Sequence, residues 1–323
     1  MKSKSKNSEV ILPKNQLKLF GYKTYFNFFI KLIKNNMMPQ SVLLTAPKGS
    51  GKATFVYHLA NYLLSSLQEN KYSIDDLKIN ENNLSYKQID LNIHPNFFLI
   101  DSKMSEKYIK VEQIRNLINF LSKSTFSQDL KIILIDNVEN LNLNSSNILL
   151  KSIEEPPKNT FFFIVNNNSS KILDTLKSRC TEFKIFFNQT EKKNIFSNIL
   201  DQYESLNKSN VLIENLYFDT PGNLLKYFLL LDESYKNISK DNLSYISFFT
   251  EKYLNDKSSE TLSYLCLFIQ KFYTELSLNK DNSNNYSYNQ SKILKQLDNM
   301  KRFNLNEKNV LFWMKDVLSY DAK

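Results

Sequence analysis

The chain has 323 residues, 42% of them hydrophobic and 23% charged, which suits two or three ordinary domains and excludes disorder throughout. Lys and Arg outnumber Asp and Glu by 42 to 33, a formal charge of +9 that favours polyanionic partners. The two cysteines, Cys180 and Cys266, cannot build a disulfide framework or a four-thiolate zinc site, and no apolar run reaches the ~18 residues of a membrane span. The start, MKSKSKNSEV, is polar, so the expectation is a soluble, unexported, cytoplasmic protein with no membrane partner. Lys, Asn, Ile, Phe and Tyr are abundant throughout, so part of the basic excess is a general compositional bias.

In chain order, the first clear element is the apolar strand SVLLTA at residues 41–46, and KATFVYHLANYLLSSL after it has helical spacing, with Phe55, Leu59, Tyr62 and Leu63 on one face. NFFLID, KIILID and TFFFIV are continuous apolar runs with polar borders, the pattern of strands covered on both faces. Helical segments separate them, VEQIRNLINFLSK and LNSSNILLKSIEE. An α/β layer with a parallel sheet follows. Beyond about residue 188 strand signals disappear, and EKKNIFSNILDQYESL and NLLKYFLLLDES read as helices. The last stretch is helical too, with Leu262, Leu265, Cys266, Ile269 and Phe272 at three-and-four spacing, and the polar NKDNSNNYSYNQS reads as an exposed loop between helices. Boundaries are placed near 188 and 240, giving segments 1–187, 188–240 and 241–323; no internal repeat is present.

Only four glycines occur, Gly21, Gly49, Gly51 and Gly222, and two of them fall in APKGSGKAT, between the first strand and its helix. Strand, glycine loop, helix is the setting of a phosphate-binding loop. In such a loop backbone amides cradle phosphates, the lysine reaches the β- and γ-phosphates, and the next hydroxyl ligates Mg²⁺. Gly49, Gly51 and Lys52 fit the pattern, but Ala46 replaces its first glycine and Ala53 its hydroxyl. Thr54 comes one residue late, a rotation of about 100° on a helix. The alternative is a turn that caps a helix and leaves Lys52 solvated.

APKGSGKAT, IKVEQIR, IILIDNVENLNLNSSNILLKSIEEPPKNTFFFIVNN and ILDTLKSRC together resemble the delta-prime subunits of the bacterial DNA polymerase III clamp loader, members of the AAA+ family. The likeness runs from about Phe20 to Cys180, with weaker similarity through TPGNLL to FNLNEKNVLFWMKDVL. It implies a RecA-like AAA+ domain, a small helical lid and an all-α collar that serves oligomerisation, in line with the boundaries above. It also implies partners: delta- and gamma/tau-type subunits in a hetero-oligomer, with primed DNA and the sliding clamp reached through the assembly. Members often carry a four-cysteine zinc module; residues 65–93, where it would fall, contain no cysteine, so no zinc or other metal is expected.

The resemblance assigns roles residue by residue. Asp136, ending KIILID, stands where the metal-associated aspartate of an active site stands, and the glutamate expected after it is Asn137, which cannot take a proton at neutral pH. Glu139 is out of register to replace it, and Asp136 could instead cap a turn. Asn166 or Asn167 fits the polar sensor at the end of its strand. The lid pattern G-x-x-R reads Gly222-Asn223-Leu224-Leu225, with leucine in place of the arginine. The pocket is therefore expected to be inert, although it could hold ATP or ADP without turnover. Ser178-Arg179-Cys180 matches the motif that presents an arginine to a neighbour's ATP site, which makes Arg179 the expected catalytic group in trans; a plain surface arginine is the alternative. Cys180 reads as a packing residue, His58 as structural, and His94 as part of a family motif with no evident chemistry.

The expected function is thus a non-hydrolysing clamp-loader subunit that supplies an arginine finger. A catalytically active AAA+ motor subunit is the alternative within the family. A small-molecule P-loop kinase would need an acceptor-binding lid, for which the long helical tail is a poor match.

Overall fold

The computed structural model describes residues 10–102, 108–123, 130–168, 172–203, 219–234, 241–279 and 283–322. It divides into two compact units, Met1–Leu229 and Leu230–Lys323.

The first unit holds a five-stranded parallel sheet in the order β2-β3-β4-β1-β5, made of β1 (Ser41–Thr45), β2 (Phe97–Ile100), β3 (Lys131–Ile135), β4 (Thr160–Asn166) and β5 (Thr181–Lys184). The four apolar runs are β1 to β4. Their continuous hydrophobicity has a direct cause, since alternate residues enter different cores: Val42 and Leu44 face one and Leu43 the other, as do Ile132 and Leu134 against Ile133 and Ile135. Helices α1 (Lys23–Lys34) and α2 (Lys52–Leu64) cover the first core through Phe26, Phe29, Phe55 and Leu59. Helices α4 (Val111–Ser122), α5 (Leu143–Glu154) and the single turn α6 (Asp174–Lys177) cover the second through Ile114, Leu149 and Leu176. A short α3 (Leu84–Asp90) precedes β2. This is the α/β fold class expected from the sequence.

α2 is buried on more sides than its predicted stripe: Ala53, Val56, His58 and Ala60 are buried along with Phe55 and Leu59. β5 carries too little apolar signal to be read as a strand, because among the described residues it pairs with β1 alone and its residues stay partly exposed. Helix α7 (Gln189–Leu200) opens on a full capping box, Asn188 accepting from the Glu191 amide and Glu191 accepting from the Asn188 amide, which locates its start at residue 189. Helix α8 (Pro221–Ser234) follows, and residues 204–206 of the expected EKKNIFSNILDQYESL helix lie outside the described residues.

Among the described residues the second unit is helical, with the end of α8 followed by α9 (Asn242–Asp256), α10 (Ser259–Asn279), α11 (Ser283–Arg302) and α12 (Glu307–Asp321). α9 packs on α10, α10 on α11, and α12 on both α9 and α11. Leu262, Leu265, Ile269 and Phe272 line the core of α10 as their spacing requires, and Phe249 stacks on Phe268 with centroids 5.2 Å apart. The exposed loop expected over NKDNSNNYSYNQS is a correction: from Ser283 onward this stretch is the first part of α11. Weak helix formers are overridden there by tertiary contacts. Tyr286, Ile293, Leu297 and Met300 are buried on one face, and the Asn289 amide donates to both Asp321 carboxylate oxygens at 3.1 and 2.9 Å. Among the described residues no helix is long and apolar enough to cross a membrane.

Candidate functional site

The glycine loop joins β1 to α2 at the carboxyl end of the sheet, where open α/β folds place their ligand crevice. Gly49 and Gly51 have φ of +82° and +91°, a region that favours glycine. Gly51 precedes the first turn of α2, and a β-carbon there would meet the Tyr22 ring at 3.3 Å. Tyr22 locks the turn by donating its hydroxyl to the Ser50 carbonyl at 3.0 Å while stacking on Phe55 at 5.1 Å.

Lys52 is 3% exposed and turned into its own loop. Its ammonium donates to the Ala46 carbonyl at 2.7 Å, the Pro47 carbonyl at 2.9 Å and Ser50 Oγ at 3.3 Å. Burial pulls its pKa down to about 8 against the opposing pull of Asp136 and Glu139. The solvated lysine of the capping-turn alternative is therefore corrected. Ala53 is buried and offers no oxygen to a cation; Thr54 is only partly buried.

Asp136 follows β3, and Asp101 follows β2 at the next position of the paired strands. Burial, followed by the Asp101 charge, raises the Asp136 pKa to about 7, and burial raises that of Asp101 as well. The Asp136 carboxylate accepts the backbone amide of the adjacent Asn137 at 2.9 Å; Asn137, with φ +56°, is itself the N-cap residue of the turn Val138–Asn140, and its side chain makes no capping bond there. Asn137 is fixed on both sides. Its amide nitrogen donates to Asp101 Oδ1 at 2.7 Å, and its carbonyl accepts from Asn167 Nδ2 at 2.8 Å. Glu139 accepts the Asn167 backbone amide at 3.3 Å, which turns its carboxylate to the end of β4. Asn166 bonds within its own turn, Nδ2 donating to Asn168 Oδ1 at 3.2 Å. Of the two sensor candidates, Asn167 is the one joined to Asn137.

The start of α8 lies on the glycine loop. Thr220 Oγ1 donates to the Lys48 carbonyl at 2.7 Å, and the Gly222 amide donates to the Gly49 carbonyl at 2.9 Å. Leu225, at the arginine position of the lid pattern, is 5% exposed and belongs to the packing of α8.

Ser178-Arg179-Cys180 leaves α6 on the face of the sheet opposite α2: Leu176 and Cys180 pack against the second core, and the α2 side chains fill the first. Ser178 Oγ donates to the Thr175 carbonyl at 3.1 Å, and Arg179 Nη1 donates to the same oxygen at 2.8 Å. Arg179 Nε pairs with Glu154 at the end of α5. The arginine side chain is 35% exposed. Burial pushes the Cys180 thiol up to about 12 and Cys266 to about 11, so neither is an activated nucleophile.

The structure thus brings Gly49, Gly51, Lys52 and Asp136 into one cluster and sets Arg179 apart from it. Sequence reasoning missed Asp101, Tyr22, Thr220 and Glu154. Only Asp101 carried a usable signal, since NFFLID and KIILID end alike and adjacent parallel strands put those ends side by side. His58 and His94 are buried hydrogen-bonding residues: His58 Nε2 meets the Gln16 carbonyl at 2.8 Å, and His94 Nδ1 accepts the Asn96 amide at 3.1 Å. Among the described residues no group of His, Cys, Asp and Glu is arranged to hold a metal.

A family model described as "DNA polymerase III, delta subunit" matches residues 21–189, which span β1 to β5 with both the glycine loop and the Ser-Arg-Cys run. The chain belongs to this family, as a clamp-loader subunit of the delta-prime type. It is 31% identical over 140 residues to "DNA polymerase III subunit delta'" of Pseudomonas aeruginosa, covering 43% of this chain and 41% of that one. It is 28% identical over 194 residues to "DNA polymerase III subunit gamma" of Buchnera aphidicola subsp. Schizaphis graminum, covering 57% and 48%. A gamma subunit-related protein from Thermotoga maritima aligns in structure over 93% of this chain and 98% of its own at 16% identity, with a TM-score of 0.48. The chain spans between two-fifths and a half of the length of the two curated relatives.

A hydrolysing nucleotide site fits the residues present poorly. Lys52 already has three oxygen partners within the loop, and the position after it has no hydroxyl. Asn137 is fixed by two hydrogen bonds where a carboxylate base would stand. The backbone turn at Gly49 is covered as well: a β-carbon there would lie 2.4 Å from Thr220 Oγ1.

Proposed function

We propose that this chain is a non-hydrolysing clamp-loader subunit whose catalytic contribution is Arg179, offered to the ATP site of a neighbouring subunit. The observation that carries the reading is the contrast between two cations. Lys52 is buried in its own loop, while Arg179 stands part-exposed at the end of α6. A guanidinium there would stabilise negative charge building on a transferring phosphoryl group, an effect of roughly 10³–10⁵ in systems with arginine fingers. The poor fit of the glycine loop to a hydrolysing site supports the same reading, as does the sequence identity to a protein named a delta' subunit.

The partners in this reading are delta- and gamma/tau-type subunits, with primed DNA and the sliding clamp engaged by the assembly. The loop around Lys52 keeps its shape through contacts within the chain, and ATP or ADP bound there would not be turned over. The test is the DNA- and clamp-stimulated ATPase of the assembled loader with Arg179→Ala, at equal subunit content. The rate should fall by the share of the site that Arg179 serves. Arg179→Lys should restore little, because a point ammonium cannot reproduce the planar guanidinium fork. Equal rates for wild type and Arg179→Ala would overturn the proposal. An active motor subunit, the alternative, would turn over ATP alone and lose that turnover in Lys52→Ala.

A further inference from the structure

Arg179 does not hang free. Its Nε is paired with the carboxylate of Glu154 and its Nη1 donates to the Thr175 carbonyl, so two elements, α5 and α6, hold one guanidinium. We propose that Glu154 is a positioning residue for Arg179, one that fixes the near side of the guanidinium and aims its far end at a phosphoryl oxygen of the neighbouring subunit. The inference rests on the reading of Arg179 as a group that acts in trans.

Three observations carry it. The first is placement: Glu154 is the last residue of α5 and Glu155 caps that helix, so two carboxylates sit at a helix carboxyl end, where the helix dipole disfavours them. Glu154 is therefore not there for the sake of α5. The second is exposure. The two side chains are 35% and 42% exposed, so water screens the pair and its worth to folding is small. The third is donor geometry. Guanidinium has five N–H donors in a fixed plane, of which the Nε proton and one Nη1 proton are used here. The remaining donors lie on the terminal nitrogens, whose edge matches two oxygens of one phosphoryl group.

A long, flexible arginine without such a holder must be ordered at the moment of reaction. Ordering it beforehand moves that entropic cost out of the transition state. The Thr175 carbonyl that receives Nη1 also receives Ser178 Oγ, so Ser178 and Arg179 are tied to the same point of α6.

The test uses the loader assembled from the full chain and its cognate gamma- and delta-type subunits. Stimulated ATPase is measured for wild type, Glu154→Ala, Glu154→Gln, Arg179→Ala and the Glu154→Ala/Arg179→Ala double variant, with Glu155→Ala as control. Glu154→Ala should lose most of what Arg179→Ala loses, in kcat with KM for ATP unchanged. The double variant should fall no further than Arg179→Ala, the non-additivity expected of residues that act as one unit. Glu154→Gln, which keeps an oxygen acceptor, should retain more activity than Glu154→Ala, and it carries the test if the alanine variant fails to assemble. Wild-type or higher kcat in both Glu154 variants while Arg179→Ala is impaired would overturn the positioning role and leave the finger standing. So would a double variant that falls well below Arg179→Ala. No effect of Arg179→Ala would instead remove the finger reading itself.

Discussion

The Gly222 amide donates to the Gly49 carbonyl at 2.9 Å, across 173 residues of chain, and joins the start of α8 to the turn of the glycine loop. Two of the four glycines thereby meet backbone to backbone. A β-carbon on Gly222 would lie 2.7 Å from the Gly49 carbonyl oxygen and 3.0 Å from its Cα, and backbone at that distance cannot swing aside as a side chain can. Gly222→Ala should therefore destabilise the chain by about 1–3 kcal/mol, the range for forced overpacking. Gly49→Ala meets both a left-handed φ and Thr220, and should cost at least as much. Because the two share one contact, the double variant should cost less than the sum. Urea unfolding of the four proteins checks this, and full additivity would show that the contact is not shared in solution.

Lys52 ties three loop oxygens together, so its removal should be felt in stability rather than in turnover. Lys52→Met should lower stability by about 1–3 kcal/mol, since buried acceptors lose their donor. ATP hydrolysis by the isolated chain should be the same in both proteins and at background. Metal-dependent turnover that vanishes in the variant would overturn the inert-site reading.

His58 and His94 should stay neutral well below the usual imidazole range, because burial holds both pKa values down to about 4. His58 donates from Nε2 to the Gln16 carbonyl and accepts the Tyr72 hydroxyl at Nδ1, an arrangement that a second ring proton would break. Between about 4 and 6.5 the unfolded chain binds more protons than the folded one at these two rings. Their contribution is thus fully present above 6.5 and is lost as pH falls to 4. Asp136 acts in the opposite sense, its pKa raised to about 7 by burial and by Asp101, and it reduces the net slope. An NMR titration of the ring protons reads the imidazoles directly; midpoints near 6.5 would show that the rings reach water.

Asp321 is buried and accepts the Tyr273 hydroxyl at 2.6 Å and the Asn289 amide at 2.9 Å. Asp321→Ala leaves both donors without their acceptor and should destabilise the helical unit by about 1–3 kcal/mol. The double variant with Asn289→Ala should be no worse than Asp321→Ala by more than a few tenths of a kcal/mol. Thermal unfolding followed by circular dichroism tests both.

Binding to DNA, if it rests on the excess of 42 Lys and Arg over 33 Asp and Glu, should act through phosphates. It should weaken steeply with salt and show little sequence preference. Fluorescence anisotropy at several salt concentrations checks this, and salt-insensitive or sequence-selective binding would contradict it.

The strands β1 to β4 were legible in the sequence because each is a continuous apolar run, and such a run has one stable outcome when helices cover both faces of a sheet. Gly49, Gly51 and Lys52 were legible for a related reason: few residue types permit that turn, and glycine is scarce in this chain. Neither signal needs knowledge of a distant residue. β5 and the first turns of α11 depended on partners far along the chain. β5 is held by β1, and the weakly helical SNNYSYNQ is drawn into a helix by Asp321 and by the core that receives Tyr286 and Ile293. At the site the division is the same. Residue types, read through the family resemblance, put Ala53, Asn137 and Leu225 where a metal hydroxyl, a carboxylate base and a lid arginine are expected. Only the tertiary structure decided where the remaining charges point, with Lys52 inward onto its own loop and Arg179 outward beside Glu154. A charged side chain takes its direction from whichever partners compete best with water, and those partners are set by the fold rather than by its neighbours in sequence.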